Sequence, residues 1–380
     1  MKLVFISNFF NHHQKPLSDE FFRILGDEFR FISTTEMPQE RLKMGYPVLT
    51  TSYVRYAYKS KSEKEECINL INSADVVIFG SASPFFLKKR KKEGKLIFAY
   101  SERLFKKGFS LRYLLPRFIK WNWIFYNVQN CFLLCASAYA AYDYNLIGLF
   151  KGKTYKWGYF TQVVQYDDLD FIIQKKVHFS ILWVGRFLRW KHPEYAILLV
   201  QKLLADGYDV ELNIIGSGTL ESEITDFVVN NGLSSYINLL GSKPPDEVRN
   251  YMEKSEIFIF TSDRNEGWGA VLNESMNSAC AVVANGDIGS VPFMIQDGVN
   301  GLVYKNGDFE DFVSKVKMIL DDEEKRKLLQ INAYKTMIDI WNPKVAAERF
   351  VKFSESVILR GIGRNFDAGP CSVALPQKRF

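Results

Sequence analysis

The chain has 380 residues, enough for two domains of ordinary size, and its 47% hydrophobic and 24% charged content is the balance of a soluble globular protein. A net charge of +6 is mild and by itself points to no class of partner. The five cysteines (Cys67, Cys131, Cys135, Cys280 and Cys371) are irregularly spaced and suggest neither a zinc site nor a disulfide framework.

Leu3 to Ile6 is a short apolar run that reads as a buried parallel strand, too short for the core of a signal peptide. No apolar run reaches the roughly 18 residues that span a bilayer, so a chain kept inside the cell with reduced thiols is expected. The loop Asn8 to Lys15 follows, and Pro16 suits the first turn of a helix to about Leu25. Further strands are expected at Phe29 to Ile32, Asp75 to Phe79, Lys95 to Phe98 and Cys131 to Leu134. Helical stretches lie between most of them, which predicts a parallel α/β sheet.

From Gln162 to Lys176 the text is polar and without rhythm, and a linker is placed there between domains at 1–165 and 176–340. Asp168-Leu169-Asp170 in this stretch is either a metal-binding Asp-x-Asp or a solvated charge run. A second series of strands is expected at Phe179 to Val184, Val210 to Ile215, Tyr236 to Leu240, Glu256 to Phe260 and Ala281 to Ala284. Helices are expected at Pro193 to Ala205, Leu220 to Val229, Phe309 to Leu320 and Glu323 to Ile338. Trp341-Asn342-Pro343 then breaks the chain and starts a last helix over 343–359. The tail at 361–380, rich in Gly and Pro and without a period, reads as disordered.

Chemistry concentrates in the second half. The run Ile181 to Val184 ends in Gly185-Arg186-Phe187-Leu188-Arg189-Trp190-Lys191-His192-Pro193. Arg186 and Lys191 flank a turn at the carboxyl edge of a parallel sheet, where a guanidinium and an ammonium suit a diphosphate; a basic loop in solvent is the alternative. Gly216-Ser217-Gly218 fails the dinucleotide fingerprint, because Glu221 stands where a third small residue is needed. Gly216 lies near a nucleotide or only makes a tight turn, and Leu240 ends the next strand. Glu266-Gly267-Trp268-Gly269-Ala270-Val271-Leu272-Asn273-Glu274 follows a strand and opens a helix from Gly269 to about Ala279. Its two carboxylates lie about two turns apart, at most ~12 Å along a helix axis. Gly267 and Gly269 let a ligand approach the backbone. Asp287-Ile288-Gly289-Ser290-Val291-Pro292 follows the next expected strand, and Asp297 to Leu302 reads as a structural turn.

In order and spacing these segments resemble the family 4 retaining glycosyltransferases of GT-B fold (glycosyl transferases group 1), as found in bacterial surface-polysaccharide biosynthesis. The resemblance implies an α/β protein: two Rossmann-like parallel-sheet domains facing across a cleft, with a C-terminal helix crossing back onto the first. It implies transfer of a sugar from a nucleotide-diphosphate sugar to an acceptor hydroxyl, a saccharide or lipid-linked saccharide, with retention of configuration. Arg186 and Lys191 would bind the diphosphate, Glu266 the sugar hydroxyls and Glu274 the nucleotide ribose, with Gly216, Leu240, Gly267, Trp268 and Gly269 lining the donor site and the Asp287 to Pro292 segment near the donor sugar. With two cations for the diphosphate, no metal or cofactor is needed. A nucleotide-sugar 2-epimerase and a non-catalytic sugar-nucleotide binder are the rival readings.

The first half departs from the family pattern. The loop after the first strand has no Gly; Asn11-His12-His13-Gln14 stands there instead. His13 or His12 is a candidate acid–base helper at that strand end, or a brace for the loop. Glu102 and Arg103 are weaker candidates for acceptor contact. Over 87–123 twelve basic residues face two acidic ones, interleaved with aromatic residues from Phe105 to Trp123. Such a segment suits an anionic membrane surface, which would make the protein peripheral at the inner face of the cell membrane. A solvated helix face is the alternative, and no nucleic-acid motif accompanies the charge.

Overall fold

The computed structural model describes residues 1–43, 47–106, 108 and 111–378. Two compact units divide the chain: Met1–Gln162 with Ile340–Phe380, and Val163–Asp339. In the first unit the strands are β1 (Leu3–Ser7), β2 (Phe29–Ser33), β3 (Val54–Tyr56), β4 (Val76–Phe79), β5 (Ile97–Ser101), β6 (Cys131–Cys135) and β7 (Thr154–Lys156). They pair in parallel in the order β3-β2-β1-β4-β5-β6-β7. The connecting helices are α1 (Lys15–Leu25), α2 (Gln39–Lys43), α3 (Lys61–Ser73), α4 (Lys88–Lys92), α5 (Leu111–Phe125) and α6 (Ala140–Leu146). The inner strands β1, β4 and β6 are buried at every residue, which is why they read as unbroken apolar runs.

The second unit holds β8 (Val177–Val184), β9 (Glu211–Ile215), β10 (Ile237–Leu239), β11 (Ser255–Phe260), β12 (Ala281–Asn285) and β13 (Leu302–Tyr304). Their order is β10-β9-β8-β11-β12-β13, again all parallel. Its helices are α7 (Leu169–Gln174), α8 (Pro193–Ala205), α9 (Glu221–Asn230), α10 (Pro245–Lys254), α11 (Ala270–Asn277), α12 (Val291–Met294), α13 (Phe309–Asp321) and α14 (Glu323–Asp339). One core of Ile, Leu and Val from β8, β9, α8 and α13 fills one side of this sheet. Two Rossmann-like parallel-sheet units are therefore present, as the resemblance implies.

The last helix, α15 (Pro343–Arg360), begins where Asn342 accepts a hydrogen bond from the Val345 N–H at 2.8 Å. It belongs to the first unit, where Phe350 packs edge-on against Phe21 of α1 at 5.6 Å and Phe98 of β5 at 4.9 Å between ring centroids.

Three expectations are corrected. The stretch 162–176 is not a bare linker: it holds α7, with Ile172 and Ile173 buried, and Asp168 caps that helix by accepting the Phe171 N–H at 2.9 Å. The carboxylate at 168 therefore serves the backbone. The tail is not disordered through its length: Cys371, Ser372 and Ala374 are buried, and Val373 bridges antiparallel to Tyr155 of β7. The edge strand offered unpaired backbone groups, and Lys156 N–H to Ser372 C=O at 2.7 Å and Ala374 N–H to Thr154 C=O at 2.9 Å satisfy them. Within 87–123, Arg90 is fully buried and donates to the carbonyls of Ile71, Ala74 and Asp75 at the end of α3 and of Leu96 just before β5, so it belongs to no surface patch. Lys107 and Phe109 of that segment, and the side chain of Leu111, lie outside the described residues. Among the described residues no helix is long and apolar enough to cross a membrane.

Candidate active site

In the second unit every segment singled out for donor chemistry follows a strand: 185–192 after β8, 216–219 after β9, 240–242 after β10, 261–269 after β11 and 286–290 after β12. Parallel strands bring all five to one edge of the sheet, the carboxyl edge where open α/β sheets bind ligands.

The loops are tied to one another by backbone. Phe187 N–H donates to Ser217 C=O at 2.9 Å, Leu220 N–H to Phe187 C=O at 3.2 Å, and Gly216 N–H to Gly241 C=O at 2.9 Å. Gly216 has φ +149°, and a Cβ there would lie 1.8 Å from the Gly185 carbonyl oxygen. The glycine at 216 is therefore required by loop-to-loop packing. That places the segment holding Arg186 against the segment after β9, and Leu240, half-buried, is held by its N–H on Ile214 C=O at 2.9 Å.

The β8 and β11 loops are clamped as well. Thr261 Oγ1 accepts from Trp183 Nε1 at 2.8 Å and donates toward the carbonyls of Lys191 at 2.8 Å and His192 at 3.0 Å. Asp263 N–H donates to Trp190 C=O at 2.9 Å. This clamp delivers the central contact: Lys191 Nζ donates to Glu266 Oε2, which also accepts from Ser262 Oγ at 3.1 Å. The Lys191 ammonium also lies 4.7 Å from the centroid of Trp190. Glu266 is only 8% exposed, so its carboxylate is desolvated and fixed. Ion pair, hydroxyl and aromatic wall make a preorganised charged centre.

The loop beyond Glu266 is set by its glycines and by Trp268. Gly269 has φ +82°, and a Cβ there would meet Phe260 Cζ at 2.3 Å, so only glycine closes this turn into α11. Gly267 is buried beside it. The Trp268 side chain is corrected from a ligand contact to a core residue: it is fully buried, and Nε1 donates to Asn273 Oδ1 at 2.9 Å. Its ring is the large apolar surface that anchors the loop. The Asp287 loop is stitched on by Ser290 Oγ to Trp268 C=O at 2.5 Å and Gly289 N–H to Glu266 C=O at 3.3 Å. The Asp297 to Leu302 segment is a turn, with Gly298 N–H on Gly301 C=O at 2.9 Å.

Glu274 lies on α11, partly buried, and desolvation pushes its carboxyl up to about 7, against the opposing charge of Arg249. Arg249 of α10 is held to the same helix by Nη1 to Asn277 Oδ1 at 3.0 Å. The two carboxylates of the motif thus differ: Glu266 is tied to a cation, and Glu274 sits near its protonation midpoint at neutral pH.

Sequence reading missed His192. It occupies a left-handed conformation (φ +51°) between the Arg189–Lys191 turn and α8. Its Nδ1 meets Glu194 Oε1 at 2.7 Å and Nε2 lies 3.6 Å from Asp263 Oδ2. Hydrogen bonds to Asp263 and then Glu194 raise its pKa to about 9, so the imidazolium braces the clamp at neutral pH. Burial opposes ionisation of Asp263, but hydrogen bonds from His192 and Asn265 hold its carboxyl below the usual range. Only the partner set, from the start of α8 and the loop after β11, could reveal this. A raised pKa in the folded state stabilises fully below the unfolded value, about 6.5, and the stabilisation is lost as pH rises through about 9. The stability difference between the native chain and His192→Asn, which tolerates the same backbone, is expected to shrink between these values; urea unfolding across pH 6–10 checks it, and a constant difference would contradict it.

In the first unit, described by itself, His12 and His13 follow β1 with ring centroids 3.9 Å apart. His13 N–H donates to Asn11 Oδ1 at 2.9 Å. Burial, then the charges of His12 and Arg41, push His13 down to about 3, so it is a neutral imidazole at physiological pH. Arg103 is corrected: it is 5% exposed, paired with the buried Asp143 at 3.4 Å and stacked 5.1 Å from the Tyr139 ring, so it contacts no acceptor. Glu102 accepts from Tyr159 Oη at 2.7 Å and pairs with Lys106.

Residues 169–336 match the family model of the glycosyl transferases group 1. An uncharacterized glycosyltransferase of Methanocaldococcus jannaschii is 34% identical over 151 residues, covering 40% of this chain and 41% of the relative. The capsular polysaccharide biosynthesis glycosyltransferase CapM of Staphylococcus aureus is 23% identical over 49% of this chain and 48% of its own length. The chain thus matches under half the length of these relatives. Among solved structures, Anabaena HepE in complex with UDP is similar with a TM-score of 0.68 at 14% identity, covering 94% of this chain and all of that one, and at that identity the likeness shows the fold. The part of the chain that carries the Arg186, Lys191 and Glu266 loops is thus the part that is similar to the glycosyl transferases group 1.

Proposed function

We propose that the chain moves a hexose from a nucleotide-diphosphate sugar to a saccharide acceptor, with retention of configuration and without a metal. The observation that carries this reading is the Lys191–Glu266 pair, held by three loops at the sheet edge beside Arg186. The departing diphosphate gains charge in the transition state, and Arg186 and Lys191 offset it by preorganised electrostatics. Glu266 orients the sugar hydroxyls, and Glu274 accepts from the ribose. The backbone at Gly216, Leu240, Gly267, Trp268 and Gly269 lines the donor. His13, a weak base when neutral, acts on the acceptor hydroxyl by hydrogen bonding. The capsular polysaccharide relative supports a role in polysaccharide biosynthesis; a lipid-linked acceptor and a place of action inside the cell complete the reading.

The test is release of nucleoside diphosphate from a panel of nucleotide sugars in the presence of EDTA, with and without saccharide and lipid-linked acceptors. Acceptor-dependent release is expected. A free epimer formed without acceptor would establish the epimerase instead, tight donor binding without turnover would establish a binding protein, and recovery only on adding magnesium would defeat the metal-free reading. Arg186→Ala is expected to weaken donor binding by about 1.5–3 kcal/mol, the range for a charged hydrogen bond. Lys191→Ala is expected to cost more, because it also strips Glu266 of its cation. Calorimetry on both variants decides, and unchanged affinity in Arg186→Ala removes it from the diphosphate site.

A further inference from the structure

We infer that α5 of the first unit is a docking face for an anionic lipid bilayer. The helix leaves one stripe without a partner: Leu115, Ile119 and Trp123 are 56%, 60% and 75% exposed. They recur at four-residue steps, so they share one face over about 12 Å. A solvated helix face would be polar there, and a core face would be covered; this one is neither. Cations frame it. Lys120 and Arg112 of α5 are exposed. Lys91 of α4 reaches the end of α5, its ammonium 3.3 Å from the Trp123 carbonyl and 5.8 Å from the indole centroid. That contact sets the exposed Lys88 and Lys92 of α4 at the Trp123 end of the stripe.

The occupant follows from this chemistry. Trp123 and the exposed Phe118 of α5 offer rings, but Leu115 and Ile119 offer none on which a base could stack, so the aliphatic part of the stripe gains from hydrocarbon and not from single-stranded nucleic acid. A second copy docked through the same face about a twofold axis would bring like charges together. An anionic headgroup layer over acyl chains matches both features: lysines at phosphate depth, Trp123 at the interface and the aliphatic residues below. The inference is independent of the transferase reading, since vesicle binding involves no turnover.

The experiment is flotation of the full chain with phosphatidylcholine vesicles, with and without phosphatidylglycerol, at low and high salt. Uptake by the anionic vesicles is expected, falling as salt shortens the screening length from ~10 Å at 0.1 M to ~3 Å at 1 M. Replacing Lys88, Lys92 and Lys120 by Gln should weaken uptake by at least about tenfold, given about fivefold per surface charge. Leu115→Ser with Ile119→Ser and Trp123→Ser should abolish it with an unchanged melting temperature, as the three side chains are exposed. Should that triple variant fold poorly, Ile119→Ser alone should weaken uptake and Trp123→Phe should retain it. Equal uptake by neutral and anionic vesicles, no uptake by either, or a dimer that the serine substitutions dissociate would each overturn the proposal.

Discussion

Glu266→Gln is expected to lower kcat by about 10²-fold or more, the loss typical of a group that acts where charge develops. The substitution keeps the side chain's shape and its place beside Ser262 but removes the charge that holds Lys191. Both the sugar contact and the position of the ammonium are then lost together, so the effect should not add to that of Lys191→Ala in a double variant. Nucleoside diphosphate should still bind Glu266→Gln, because Arg186 and the Lys191 charge both remain, with a loss of affinity smaller than that of Lys191→Ala. Glu274 should behave differently. The ribose changes little as the sugar departs, so Glu274→Gln should raise KM and leave kcat nearly unchanged. Gln resembles the protonated acid, and the carboxyl of Glu274 is raised to about 7. The KM penalty should therefore be small below pH 7 and grow above it. Steady-state kinetics from pH 6 to 8.5, with calorimetry of the diphosphate, check both. Full kcat in Glu266→Gln would reduce the motif to a helix start.

Lys176→Met is expected to destabilise the second unit by about 3–5 kcal/mol. The ammonium of Lys176 is buried, and it lies 3.0 Å from Met252 C=O, 3.1 Å from Glu253 C=O, 2.9 Å from Ser255 C=O and 2.9 Å from Ser278 C=O. These carbonyls close α10, open β11 and follow α11, the helix that bears Glu274. Three N–H donors thus serve four acceptors at the end of two helices, where Met252 C=O and Ser255 C=O have the weak Cys280 thiol as a further donor. Methionine fills the space and supplies none of them, and each orphaned carbonyl costs about 1–3 kcal/mol before relaxation. For a unit of this size that is a fall in Tm of about 6–20 °C. Scanning calorimetry measures it; a loss under about 1 kcal/mol would mean that water replaces the ammonium.

The candidate site was legible where chemistry is carried by residue type and spacing along the chain. Arg186, Lys191 and Glu266 were marked by their places after strands and Glu274 by its spacing from Glu266; the parallel sheet brings the loops of the first three to one edge, and Glu274 lies on α11. Gly216 and Gly269 were marked as glycines, but the reason is packing on Gly185 and Phe260, which no local pattern contains. Trp268 was misjudged because an aromatic residue between two glycines looks exposed; its burial depends on Asn273 and on the chain around it. His192 and Lys176 were missed for the same reason. Their roles are defined by acceptors many residues away in sequence.

The sequence by itself determined the layered α/β architecture, because strands buried on both faces must be continuous apolar runs and their helices must be amphipathic. It could not determine β3, β7 and β13, each three residues long at a sheet edge, where one partner suffices and little apolar surface is buried. Nor could it determine that the tail closes on β7, since that pairing is made by backbone groups that every residue carries alike. Tertiary structure also decided which charges of the basic segment are free. Arg90 and Arg103 went into the interior because helix-end carbonyls and Asp143 could receive them, and Lys88, Lys89, Lys92 and Lys120 stayed in solvent.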